Sequence, residues 1–270
     1  MAATDKLFAG SIPEIYDRFL VPLIFESYAR DLAERMAKVE PRDVLETAAG
    51  TGVLTRAMAA RLPAQARIVA TDLNQPMLDH AAARERAEGR IVWRQADALA
   101  LPFEDQSFDA VACQFGAMFF PDKVLGYSQA RRVLKPGGRF IFNVWDKISE
   151  NEFADVVTET LAAVFPQDPP RFLARTPHGY HDVAKLRGEL TMAGFAQVSI
   201  ETRGDISKAP SPRDPAIAYC QGTPLRNEIE ARDRSGLEAA TQACAQALAF
   251  RFGNGPVQGR IQAHVITAIR

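Results

Sequence analysis

Cysteine is scarce: 270 residues carry three, Cys113, Cys220 and Cys244, far apart and without a Cys-x-x-Cys pair. An odd, scattered set argues against a disulfide framework and against a thiolate zinc centre, so no metal is expected and a reducing cytoplasm fits. No stretch approaches the length of a membrane span, and residues 1–11 lack the basic leader and apolar run of a signal peptide. The expectation is a cytoplasmic, soluble protein. An excess of one charge is missing too, because 32 basic and 33 acidic side chains are mixed along the chain for a net charge of -1. Without a positive field the chain has no means of gathering nucleic acid or anionic lipid, which favours a small, roughly neutral partner. Internal repeats and low-complexity tracts are also absent.

What is present is a chain long enough for one large domain with an appendage. Over residues 12–39 the apolar residues Ile15, Phe19, Leu23, Ile24, Leu32 and Met36 recur at helical spacing, with Pro22 predicted to break the segment into two helices. Short β-branched runs then alternate with amphipathic stretches, the pattern of parallel strands joined by crossover helices. Strands are read at 43–47, 67–71, 90–95, 108–114 and 139–144, with helices at 54–61, 76–87 and 122–134. Lys135-Pro136-Gly137-Gly138 is read as a turn ending the last of these helices. Beyond Asp146 come a helix at 152–164, a proline-rich passage at 166–177, a helix at 182–193 and a strand at 197–202. Helical patterns at 215–231 and 236–252 precede a last strand at 260–269. Leu237, Ala240, Cys244, Ala247 and Leu248 fall on one face of the last helix, a packing face rather than a cofactor box.

The chemistry gathers at strand ends. Val44-Leu45-Glu46-Thr47-Ala48-Ala49-Gly50-Thr51-Gly52 sets a carboxylate before a glycine-containing turn, where the backbone can approach a ligand closely. Asp72 ends the second strand about 20 residues past that turn, where an acid accepts hydrogen bonds from ribose hydroxyls. Asp97 ends the third, in position for an adenine amino group. Glu46 occupies the place of a dinucleotide pyrophosphate, where its charge would repel phosphate and attract an ammonium. One such acid alone reads as a strand-end carboxylate or a helix cap; three at successive strand ends read as one ligand crevice.

These motifs resemble the class I S-adenosylmethionine-dependent methyltransferases, in particular the small-molecule branch that includes ubiquinone and menaquinone biosynthesis methyltransferases. The resemblance spans residues 44–144. It rests on the acid and glycine turn, on Ala70-Thr71-Asp72-Leu73-Asn74 with Met77, on Asp97 before Leu101-Pro102-Phe103, on Phe108-Asp109-Ala110-Val111 leading to Gln114-Phe115, and on the Lys135 to Gly138 turn. It implies an α/β fold, a Rossmann-like seven-stranded, mostly parallel sheet with helices on both faces, plus N-terminal helices and a helical insertion before the last strand. The segments would be 1–40 (N-terminal helices), 41–210 (cofactor domain, with a lid at 166–181), 211–257 (insertion) and 258–270 (final strand). S-adenosylmethionine is the cofactor implied. Its methionyl end would lie on Glu46, its backbone cradle would be Gly50, Thr51 and Gly52, and its ribose would lie on Asp72. Leu73 and Met77 would flank the adenosine, Asp97 and Ala98 the adenine, and Gln114 and Phe115 the methionine side. Ala48 stands where the family often has glycine.

The activity implied is in-line transfer of the methyl group to an oxygen, nitrogen or carbon of a small molecule, for which no acid, base or metal is obligatory. Tyr16, His178, Tyr180 and His181 are the candidates for the acceptor pocket, His178 and His181 as general bases, against the plainer reading that their loop caps the helix at Asp182. His80 and His264 are read as structural. The insertion fits either a roof over the acceptor or a homodimer contact. A nucleic-acid methyltransferase is disfavoured by the charge balance and by the lack of an Asn/Asp-Pro-Pro-aromatic motif. Two alternatives are an NAD-dependent oxidoreductase, against which stand Glu46, Thr55 in place of a third glycine, and Asp97, and a non-catalytic S-adenosylmethionine-binding module.

Overall fold

A computed structural model describes residues 10–85 and 89–270. The described chain divides into two compact units, a sheet unit (26–85, 89–144, 181–203 and 263–270) and a helical unit (10–25, 145–180 and 204–262). None of the described helices is long and apolar enough to cross a membrane.

The sheet unit begins with α2 (Glu26–Ala37), preceded in the chain by α1 (Ile12–Ile15) of the helical unit. It continues through β1 (Asp43–Glu46), α3 (Val53–Ala59), β2 (Arg67–Asp72), α4 (Gln75–Ala83), β3 (Ile91–Gln95), β4 (Phe108–Gln114), α5 (Lys123–Val133) and β5 (Leu134–Trp145). After α6 (Glu152–Val164) and α7 (Phe172–Arg175) of the helical unit, α8 (Val183–Met192) and the start of β6 (Gln197–Ala209) rejoin it. The seven strands stand in the order β3-β2-β1-β4-β5-β7-β6, where β7 is Val257–Ile269.

The first five strands are parallel, with Glu46 in register with Ala70 of β2 and Ala112 of β4. β7 runs against β5, since the Gly137 N–H donates to Arg270 O and the Asp146 N–H to Gln262 O, both at 3.0 Å. β1 is buried on both faces, as an apolar run between crossover helices requires. On one face Leu32 and Met36 of α2 pack with Leu54 and Met58 of α3, Val44 and Ile68, all fully buried. Each such side chain contributes about 1.5–3 kcal/mol.

The opposite ends of the strands are clamped by Asp109. Its Oδ2 accepts from the Arg42 and Asp43 backbone N–H groups at 2.9 Å and its Oδ1 from Lys135 Nζ at 2.7 Å. Burial opposes ionisation, yet Lys135 and the two N–H groups hold the Asp109 carboxyl below its usual range. The carboxyl ends of β1–β4 are left for the ligand side.

The helical unit contains α1, a π-helical stretch (Tyr16–Phe25), α6, α7, α9 (Arg213–Gln221), α10 (Leu225–Arg232) and α11 (Leu237–Phe252). Ala240, Cys244 and Leu248 form the packed face of α11, and the buried Cys244 thiol lies 3.7 Å from that of Cys220 on α9. Both thiols are free.

Three local expectations are corrected. Pro22 breaks nothing: helical residues run from Ile12 to Ala37, and the wider turns of the π stretch absorb the missing N–H. Lys135 to Gly138 do not form a turn before the strand but lie within β5, as a bulge between the pairs Phe108–Leu134 and Ala110–Arg139. The helix read at 215–231 is two helices, divided at Gly222-Thr223-Pro224, where the Thr223 hydroxyl accepts from the Leu225 N–H at 3.2 Å. Part of the stretch read as helix at 76–87 lies outside the described residues.

Candidate functional site

Parallel strands leave their carboxyl ends side by side, and in the sheet unit those of β1, β2 and β4 present Glu46, Asp72 and Gln114. Between β1 and α3 the chain enters the left-handed region three times, at Ala48 (φ 54°), Gly50 (φ 57°) and Gly52 (φ 80°). The two glycines serve different ends. A Cβ on Gly50 would meet only Met77 Cε at 3.6 Å, so its side of the turn is open, whereas one on Gly52 would stand 2.6 Å from the Trp93 ring. Gly50 leaves the backbone approachable; Gly52 lets Trp93 pack.

Asp72 organises this turn as well as standing beside it. Its Oδ2 accepts from the Gly50 N–H at 2.9 Å and its Oδ1 from the Asn74 N–H at 2.8 Å. Burial raises its pKa, and these bonds pull in the opposite direction. Glu46 is buried, and its Oε2 accepts from the Thr55 hydroxyl at 2.6 Å. Burial pushes its carboxyl up to about 8, with nearby Asp72 adding to the rise and Thr55 and Arg56 opposing it. A raised pKa favours the protonated form of the free side chain, and an opposite charge placed beside it would favour the carboxylate.

A methyltransferase-domain family model matches residues 44–138, from β1 into β5. The demethylmenaquinone methyltransferase of Clavibacter sepedonicus is 40% identical over 178 residues, covering 60% of this chain and 69% of that protein. The ubiquinone/menaquinone biosynthesis C-methyltransferase of Saccharophagus degradans is 32% identical over 168 residues, covering 57% and 67%. The chain belongs to the S-adenosylmethionine-dependent methyltransferases. The solved structure of a putative methyltransferase from Bacillus halodurans shares the fold with a TM-score of 0.56 and 21% identity, over 88% of this chain and 98% of that one.

The methyltransferase brings most of its sequence-predicted site residues to one edge of the sheet unit. Thr51 and Gly52 are buried, Met77 lies under the Gly50 turn, and Leu73 is 45% exposed beside Asp72, an apolar surface open to a ligand. Asp97 is exposed just past β3, and its Oδ1 accepts from the Leu99 N–H at 2.9 Å, so part of its role is to cap its own turn; Ala98 follows it, half-buried. Gln114 and Phe115 are buried at the end of β4.

The acceptor candidates divide. Tyr16 stacks on Phe25 at 5.1 Å, Phe25 leans on Trp145 at 6.0 Å and Trp145 on His178 at 6.0 Å, an aromatic row within the helical unit, where Tyr180 is also buried. His178 Nδ1 lies 2.9 Å from the Asp146 carbonyl, which can only accept, so Nδ1 carries the hydrogen. His181 belongs to the sheet unit, next to Asp182, which caps α8 by accepting from the Ala184 and Lys185 N–H groups at 2.8 and 3.1 Å. His80 lies on α4, and His264 Nδ1 meets the Thr202 hydroxyl at 3.0 Å.

Four residues that contact these strand ends were not singled out in the sequence. Thr55 counted only as a missing third glycine, yet its hydroxyl holds Glu46. Arg56 folds back to the Thr51 carbonyl at 2.7 Å. Trp93 covers Gly52, and Asn143 on β5 accepts from the Phe115 N–H at 2.9 Å. Thr55 and Arg56 were within reach of a sequence argument, since the first turn of a helix after a glycine turn faces back toward the strand end; the other two need the sheet order.

Ala48 is accommodated by a second glycine. A Cβ on Gly116 would stand 2.3 Å from Ala48 Cβ and 2.8 Å from Cys113 Sγ. Gly116→Ala should therefore lower stability by about 1–3 kcal/mol through overpacking. Ala48→Gly in the same chain should recover part of that loss, as a thermal unfolding series on the two single variants and the double variant would register. Additive losses would mean that the two positions do not share this space.

Proposed function

We propose that the chain transfers the methyl group of S-adenosylmethionine to a carbon of a small quinol-type acceptor by in-line displacement. The observation that carries the cofactor half is the pair of buried acids at adjacent strand ends, Glu46 and Asp72, flanking the approachable turn at Gly50. When bound, S-adenosylmethionine supplies a methyl group activated by a sulfonium. Glu46 takes the ammonium of its methionyl end and Asp72 the ribose hydroxyls, and the backbone at Ala48, Gly50, Thr51 and Gly52 cradles it. Leu73 and Met77 flank the adenosine, Asp97 and Ala98 the adenine, and Gln114 and Phe115 the methionine side. The chain's contribution to the rate is orientation and exclusion of water.

The acceptor half rests on relatives, which act as a demethylmenaquinone methyltransferase and a ubiquinone/menaquinone biosynthesis C-methyltransferase. Tyr16, His178, Tyr180 and His181 are assigned to acceptor recognition, with the His178 and His181 imidazoles as the candidate general bases. The test is turnover of methyl-labelled S-adenosylmethionine with a short-chain 2-prenyl-1,4-naphthoquinol, followed by locating the label. A new ring C-methyl group is expected; label on oxygen, or transfer only to amines, would overturn the carbon assignment.

A further inference from the structure

We propose that Asn143 is a positioning residue of the cofactor site, acting through Phe115. The inference rests on the reading that Phe115 lines the methionine side of the bound cofactor. Phe115 has φ 49°, a left-handed conformation that costs an ordinary residue about 1–2 kcal/mol. Something must hold it there.

Asn143 lies on β5 in register with Gln114, is fully buried, and its Oδ1 accepts from the Phe115 N–H at 2.9 Å. The Phe115 ring is held separately, edge-on to Tyr28 of α2 at 5.3 Å, and the Tyr28 hydroxyl donates to the Arg203 carbonyl at 2.9 Å. Backbone and ring are thus fixed from two sides within the sheet unit. The residue after Phe115 is Gly116, the close neighbour of the Ala48 methyl. A bond made at β5 therefore sets the turn after β4, and that turn abuts the one after β1.

Packing alone does not account for an amide at position 143. Its Nδ2 is buried and meets no hydrogen-bonding partner among the described residues, and a leucine would fill similar space without that donor. The carbonyl oxygen is the atom in use.

The test measures binding of S-adenosylhomocysteine calorimetrically to the unmutated chain and to Asn143→Leu, Asn143→Asp, Phe115→Ala and the Asn143→Leu/Phe115→Ala double variant. Asn143→Leu is expected to weaken binding about tenfold or more, while Asn143→Asp, which keeps an acceptor, stays within about threefold of the unmutated chain. In the Phe115→Ala background Asn143→Leu should cost clearly less than it does alone, because the ring it positions is gone although the backbone N–H at 115 remains. Should Asn143→Leu fail to fold, Asn143→Ala takes its place in both backgrounds.

Multiplying losses in the double variant would overturn the proposal, and so would a drop in melting temperature with unchanged affinity. Unchanged affinity in Phe115→Ala would overturn it as well. Absence of binding by the unmutated chain is a different failure, that of the cofactor assignment itself.

Discussion

Glu46→Gln should weaken S-adenosylmethionine binding by about tenfold or more, and should flatten a pH dependence that the unmutated protein shows. In the free protein, burial holds the Glu46 carboxyl up at about 8. An ammonium placed beside it favours the charged form, so the pKa falls on binding and a proton is released near pH 7. Affinity should therefore rise with pH from about 6 to about 8, by at most tenfold per unit, and then level off. Calorimetry in two buffers of different ionisation enthalpy counts that proton directly. Glutamine keeps the shape and cannot ionise, so both the slope and the proton should vanish. Folding stability carries the same signature with the opposite sign. The folded-state pKa lies above the ordinary value of 4.5, so folding takes up a proton in this window. Stability of the free protein should fall between pH 4.5 and 8 by at most about 1.4 kcal/mol per unit, and Glu46→Gln should remove that component. A pH-independent affinity in the unmutated protein would take Glu46 out of contact with the ammonium.

Asp72→Ala should have the other large effect, because one carboxylate serves two purposes. In the proposed role it would offer acceptor oxygens to the ribose, and through the Gly50 and Asn74 N–H groups it holds the turns on either side. Removing it loses a charge-assisted bond to the ribose and also leaves the Gly50 turn unsupported before binding. The expected loss is about 2–4 kcal/mol, roughly 30-fold to 1,000-fold in dissociation constant. Asp72→Asn, which retains one acceptor oxygen, should lie between. Melting temperature should fall in the alanine variant, so affinities are compared at a temperature where both proteins are folded. An affinity unchanged from the unmutated protein would remove Asp72 from the site.

Most of the sheet could be read from the sequence because its signals are local. Buried parallel strands read as apolar runs, crossover helices as amphipathic stretches, and β4 begins and ends where the pattern predicts, at Phe108 and Gln114. The strand-end acids were legible for the same reason: a strand that ends on Glu46 or Asp72 puts that residue at the carboxyl edge whatever its neighbours are. Contacts made between distant segments were not. Asn143 is 28 residues from Phe115, and Gly116 lies far along the chain from Ala48, so only the pairing of β4 with β5 and β1 discloses them. Pro22 misled because proline was weighed against an α-helix, whereas a π stretch tolerates it. The raised pKa of Glu46 was not legible, since it is set by burial and burial is a property of the folded chain.

Whether the carboxyl edge of β1–β4 takes S-adenosylmethionine rather than a dinucleotide is decided by a paired titration. S-adenosylhomocysteine and NAD would be titrated into the same folded preparation of the unmutated protein, and again into Glu46→Gln. One S-adenosylhomocysteine should bind per chain with release of a proton, and NAD should bind weakly or not at all. In Glu46→Gln, S-adenosylhomocysteine should bind more weakly with no proton released, and NAD affinity should be unchanged or slightly raised as the acid is removed. Tight NAD binding by the unmutated protein with no detectable S-adenosylhomocysteine binding would contradict the S-adenosylmethionine assignment.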